Sequence, residues 1–119
     1  MATHKEPTVD VLLSRFSHEL QKVLYPFFIV ATIAKKGNAT RQEIWEDIFA
    51  QSRGAFSCAQ ESHNQQISRM EKTFGLIEPI DRNRDSTLVR YRLTDKGERL
   101  YLRSNDVLID PLRDLLQLE

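Results

Sequence analysis

Asn64, Gln65 and Arg69 can each present two coplanar hydrogen-bonding groups to a flat partner. In a duplex groove that chemistry reads bases: Asn and Gln pair with adenine through two bonds, and Arg with guanine. Ser62, Ser68 and Lys72 stand close by and suit phosphate oxygens. His63, Ile67, Met70 and Phe74 recur at steps of four, three and four, which predicts a helix with one buried face. The polar set, with Glu61, falls on the opposite face. An ordinary solvated helix surface fits that face as well.

A second group is cationic. From Arg82 to Leu93 there are four arginines (Arg82, Arg84, Arg90, Arg92) and one acid, Asp85. Such a cluster suits phosphate neutralisation. Arg82 and Arg84 belong to the turn-rich tip 81–86, whereas Arg90 and Arg92 stand where neighbouring carboxylates could take them. A charged edge hairpin protected from aggregation is the competing reading.

Other chemistries find little support. Cys58 has no second cysteine to form a disulfide with, and a structural thiol explains it better than a redox sensor. Cys58 with His63, or His4 with His18, lacks further ligands at metal-site spacing, so no metal or cofactor is expected. His63 lies on the apolar face and reads as a packed histidine. Four glycines form no phosphate loop, there is no nucleophile elbow, and Glu46-Asp47 reads as a solvated pair. No enzymatic activity is expected.

The elements that must position these residues follow from local signals. Val9, Leu12, Leu13, Phe16, Leu20, Val23 and Leu24 trace one face of a first helix, and Pro26 predicts a break at Tyr25. A second helix is expected from Pro26 to Lys36, closed by Gly37. Asn38-Ala39 reads as a turn. Thr40-Arg41-Gln42-Glu43 is a capping box opening a third helix that ends near 50–52. Ser57–Gln60 and Ser62–Gln65 are rival boxes for the fourth helix, which Gly75 ends. Residues 76–80 and 87–93 read as two strands of a hairpin, the first confined by Pro79 to an edge or strand end. Thr94-Asp95 caps a helix to about Leu102, and Asp110-Pro111 starts a last one carrying Leu112, Leu115, Leu116 and Leu118. A helix-turn-helix followed by a hairpin puts the exposed start of its second helix against base edges.

The run Asn64-Gln65-Gln66-Ile67-Ser68-Arg69-Met70-Glu71-Lys72-Thr73-Phe74-Gly75-Leu76-Ile77-Glu78 resembles the recognition helix and following strand of winged-helix transcription regulators. Val89-Arg90-Tyr91-Arg92-Leu93-Thr94-Asp95-Lys96-Gly97-Glu98-Arg99-Leu100 resembles their second wing strand and the helix after it. The two in this order are similar to the PadR-like and MarR-like groups, and the resemblance spans roughly 26–102. It implies a non-enzymatic, DNA-binding homodimer that regulates transcription, often under a small-molecule or stress signal. The chain departs from the pattern in a longer 51–61 connection and in its balanced charge.

Length and composition frame this reading. The 119 residues, 40% of them hydrophobic, make one domain with a real core. The expected class is mainly α with a small β-hairpin (α+β): a winged helix-turn-helix core at 26–102, flanked by terminal helices at 8–24 and 105–119. The apolar stripes of those helices, Val9, Leu12, Leu13, Phe16 and Leu20 against Leu108, Leu112, Leu115 and Leu116, suit a dimer contact, although they could pack within one chain. The expected partners are double-stranded DNA, a second copy of the chain and an unidentified small-molecule effector, with a pocket near Phe27, Phe28 and Trp45. Seventeen basic against seventeen acidic residues exclude a generally basic coat protein. They leave room for a winged-helix module that binds protein instead of DNA. The apolar stretch 23–34 is too short to span a membrane, and a polar N-terminus points to a cytoplasmic, nucleoid-associated setting.

Overall fold

The computed structural model describes residues 6–81 and 86–117. Its first helix, α1 (Val9–Lys36), opens with the Thr8 hydroxyl accepting from the Val11 N–H and closes at Gly37, φ +85°. The break expected at Tyr25 does not occur, because Pro26 lies inside one 28-residue helix. A proline in a helix interior costs on the order of 3 kcal/mol. Tyr25, Ile29, Val30 and Ile33 surround it and are buried. Each such side chain contributes about 1.5–3 kcal/mol, so packing outweighs the missing bond.

Ala39–Thr40 is a short strand, β1, where a turn was expected. Thr40 then caps α2 (Arg41–Gln51), its hydroxyl accepting from the Glu43 N–H at 3.2 Å. The Glu43 carboxylate is drawn to Arg90 instead of completing the box. Residues 52–59 connect α2 to α3 (Gln60–Ser68). Neither Ser57 nor Ser62 caps α3; Ala59 holds that position with no side-chain bond. A π-helical turn, Arg69–Thr73, extends α3, and Gly75 at φ +64° ends it.

The sheet has the order β1-β3-β2, with β2 at Ile77–Pro79 and β3 at Arg90–Leu93, and both pairings are antiparallel. Ile77 faces Leu93, Glu78 faces Arg92 and Pro79 faces Tyr91. Pro79 thus ends an edge strand, as its missing donor demands. A 3-10 turn at Ser86–Leu88 means that β3 begins only at Arg90. Thr94 caps α4 (Asp95–Ser104), accepting from the Gly97 N–H. The helical path continues through a π turn, Asn105–Ile109, into α5 (Asp110–Leu116), where two separate helices were expected. Pro111 has no N–H for an i−4 bond and stands in the first turn of α5, just after the widened turn.

The core gathers Ile29 and Ile33 of α1, Ile44 of α2, Ile67 of α3, Met70, Ile77 and Tyr91. It therefore locks the reading helix and the hairpin onto α1. A Cβ at Gly97 would stand 2.1 Å from the Leu76 carbonyl oxygen, so α4 approaches the start of β2 through a residue that must lack one. The terminal stripes are not covered within the chain. Val9, Leu13 and Phe16 on α1 and Leu115 and Leu116 on α5 are more than half exposed. Leu118 and His4 lie outside the described residues. Among those described, no helix is long and apolar enough to cross a membrane.

Candidate nucleic-acid interface

The α3 helix turns His63, Ile67 and Met70 fully into the core, which rotates Glu61, Ser62, Gln65, Arg69 and Lys72 into solvent. Asn64 and Ser68 are half-buried on the flank. Gln60, Glu61, Asn64, Gln65, Ser68 and Arg69 line one open, shallow concavity. The side chains of Ser62, Asn64, Gln65, Ser68 and Lys72 have no hydrogen bond or ion pair within the described residues. Their donors and acceptors are free for a partner. Phe74, expected on the buried face, is 39% exposed and carries the Arg69 guanidinium 5.5 Å above its ring. It falls beyond the π turn, where the helical spacing has already shifted.

Three polar linkages hold α3 in place. Gln60 donates to Gln42 Oε1 at 2.6 Å, and Gln42 donates on to Glu46 at 2.9 Å, tying the start of α3 to α2. Gln21 of α1 bonds both backbone groups of Ser57, donating to its carbonyl and accepting from its N–H. Trp45 donates to the Cys58 carbonyl at 3.0 Å. Sequence reasoning missed all three. The partners that meet across elements stand 13 to 36 residues apart in the chain, and only the fold brings them together.

Beneath α3 lies a buried relay. His63 Nε2 stands 2.8 Å from the Arg41 carbonyl, and Nδ1 stands 2.5 Å from the Tyr25 hydroxyl. A carbonyl only accepts, so Nε2 carries the proton and Tyr25 donates to Nδ1. His63 is thus neutral and satisfied. Burial pushes its pKa below the ordinary 6.5, the bond to the Arg41 carbonyl pulls it back up in part, and the Arg41 charge lowers it further. Burial, then the neighbouring Cys58 thiol, keep the Tyr25 phenol protonated far above its usual range. Arg41 donates to the Tyr91 hydroxyl at 3.0 Å, while its Nε is buried without a partner among the described residues.

The cationic hairpin is partly spoken for. Arg90 grips Glu43 through both terminal nitrogens, at 2.8 and 3.2 Å, and donates from Nε to Asn38 at 2.6 Å. Arg92 pairs with Glu78 at 3.0 Å, directly across the strands. Both arginines therefore meet carboxylates, as their positions suggested. Arg82 and Arg84 lie outside the described residues. Among the described residues no group of three or more His, Cys, Asp or Glu could hold a metal ion.

The fold recurs in solved structures. A PadR-family transcriptional regulator from Eggerthella lenta DSM 2243 superposes with a TM-score of 0.66 at 19% identity, covering 92% of this chain and 96% of that one. A transcriptional regulator from Clostridium thermocellum gives 0.62 at 16% identity, over 81% and 95% of the two chains. The transcriptional regulator BldR from Sulfolobus solfataricus gives 0.58 at 20% identity, over 88% and 71%. At these identities the likeness establishes the winged-helix fold. No family sequence model and no curated protein matches the chain.

Proposed function

We propose that this chain is a sequence-specific, DNA-binding transcriptional regulator that acts as a homodimer and has no enzymatic activity. The observation that carries the reading is the α3 face: Asn64, Gln65 and Ser68 stand unpartnered beside Arg69, on a helix held by core and polar contacts, next to a hairpin. Asn64, Gln65 and Arg69 read bases in the major groove, and Ser62, Ser68 and Lys72 meet phosphates. Arg82 and Arg84 at the hairpin tip hold the backbone or the minor groove. Arg90, gripped by Glu43, contributes only if that pair opens. The regulators that share the fold support the class.

Exposed surface supports the second copy. The chain exposes 9103 Å², whereas a compact monomer of this length exposes about 6,700 Å². Its radius of gyration is 16.9 Å, against about 13.5 Å for a compact domain of this size. The surplus is of the order that one protomer gives up in an obligate interface. The bare stripes of α1 and α5 supply its apolar part, so the terminal segments 8–24 and 105–119 act as dimerisation elements around the 26–102 core. Two-fold pairing then presents two α3 helices to paired half-sites. Repression by occluding the promoter is the simplest output of a dimer seated on paired half-sites, and the setting is cytoplasmic, at the nucleoid.

Binding to a random-sequence duplex, followed from about 50 to 200 mM salt, tests the reading. A steep fall in affinity with salt, eased when Arg82 and Arg84 are both changed to Ala, is the expected result. No retention even at about 50 mM salt would show instead a winged helix that binds protein, the reading favoured by the balanced charge and the paired Arg90 and Arg92.

A further inference from the structure

A cleft of about 230 Å³ lies between α1, α2 and the 52–59 connector, on different residues from the α3 face. Phe28, Ala31, Ile48 and Phe56 supply its apolar walls. The Phe28 and Phe56 rings pack 5.2 Å apart at 31°, a surface suited to a flat apolar body. Of the residues expected near a pocket, Phe28 lines it, and Phe27 and Trp45 do not. An apolar cavity of about 150 Å³ accommodates benzene, so this one has room for a ring bearing a short chain.

The polar groups of the cleft decide the charge of its occupant. Thr32 is only 4% exposed, and its hydroxyl reaches Asp47 at 3.4 Å, the outer limit of a hydrogen bond. That contact is the only one the Asp47 carboxylate accepts within the described residues, although a carboxylate has about four acceptor sites. Asp47 is half-buried and, among the described residues, has no donor besides this long contact from Thr32. Lys35 also lines the cleft, but it is exposed and makes no ion pair with Asp47. A screened, solvated ammonium opposes a second cation weakly, whereas a half-buried carboxylate rewards one.

We propose that this cleft binds a small aromatic amine, with its ring against Phe28 and Phe56 and its ammonium on Asp47 beside Thr32. The site stands on its own geometry and does not depend on DNA binding. Phe56 belongs to the connector that precedes α3, and its N–H is held by the Ser52 hydroxyl. An occupant therefore fixes the segment from which the α3 helix starts.

The test is titration of the isotopically labelled full chain, without DNA, with 2-phenylethylamine and with 3-phenylpropionate, followed by amide chemical shifts. The amine is expected to saturate with a Kd on the order of 1 mM or tighter. Its shifts should centre on residues 28–35, 47–48 and 52–56, and the carboxylate should bind at least about tenfold more weakly. Asp47→Asn should abolish that preference, and Ala31→Phe, which fills the cleft, should abolish binding of the amine in a protein whose spectrum stays folded. Equal binding of the two probes, shifts centred elsewhere, no saturation by about 10 mM, or an amine affinity indifferent to both substitutions would overturn the proposal.

Discussion

Replacing Tyr25 by Phe isolates the bond on which the α3 helix rests. The substitution keeps the ring and its contacts with Phe28 and removes only the hydroxyl that donates to His63 Nδ1. His63 is fully buried and its Nε2 is committed to the Arg41 carbonyl, so Nδ1 becomes an acceptor without a donor. A buried polar atom orphaned in this way costs about 1–3 kcal/mol. Unfolding entropy of about 2.1 cal/mol/K per residue makes each kcal/mol worth roughly 4 °C in a chain of this length. Thermal unfolding at a fixed protomer concentration and about pH 8, where His63 is neutral, should therefore show a Tm lower by roughly 4–12 °C. The sharper measure is the cycle with His63→Leu. Changing both partners orphans neither end of the Tyr25–His63 bond, and the lost contact to the Arg41 carbonyl is common to His63→Leu and the double variant, so the double variant should lose less than the sum of the single losses, by about 0.5–3 kcal/mol. Losses that simply add would refute the relay and leave His63 an ordinary packed side chain.

The same histidine sets a pH dependence. The unfolded chain binds a proton near 6.5, whereas the folded chain binds it only at lower pH, because burial lowers the folded pKa. Stability should rise with pH through that window and level off above 6.5. Urea midpoints should show the rise in the parent and not in His63→Leu. Gly97→Ala should destabilise by about 1–3 kcal/mol in urea unfolding, although alanine is the better helix former by about 1 kcal/mol, because its Cβ would collide with the Leu76 carbonyl. In duplex binding, Arg69→Ala should relax sequence preference at one position, at a cost of about 1–3 kcal/mol. Glu43→Gln, which releases Arg90, should instead strengthen binding to all sequences and steepen the salt slope by about one. Unchanged specificity in the first variant, or an unchanged slope in the second, counts against the assigned roles.

What was legible in the sequence is what depends on near neighbours. The spacing of His63, Ile67 and Met70 placed the buried face of α3, and with it the outward face of Gln65 and Arg69, because helical periodicity acts within two turns. Gly37, Thr40, Gly75 and Thr94 marked element ends, since capping is settled within about four residues. Tertiary structure decided everything that turns on distant pairs. It carried α1 through Pro26, because burial of the flanking side chains exceeds the cost of one absent bond. It made Ala39–Thr40 a strand, since β1 exists only where β3 lies beside it. It also coupled His63 to Tyr25, 38 residues away, and Arg90 to Glu43, 47 residues away. Side chains so far apart in the chain meet only once the core has closed, and no local pattern records which of many carboxylates or hydroxyls will be the partner.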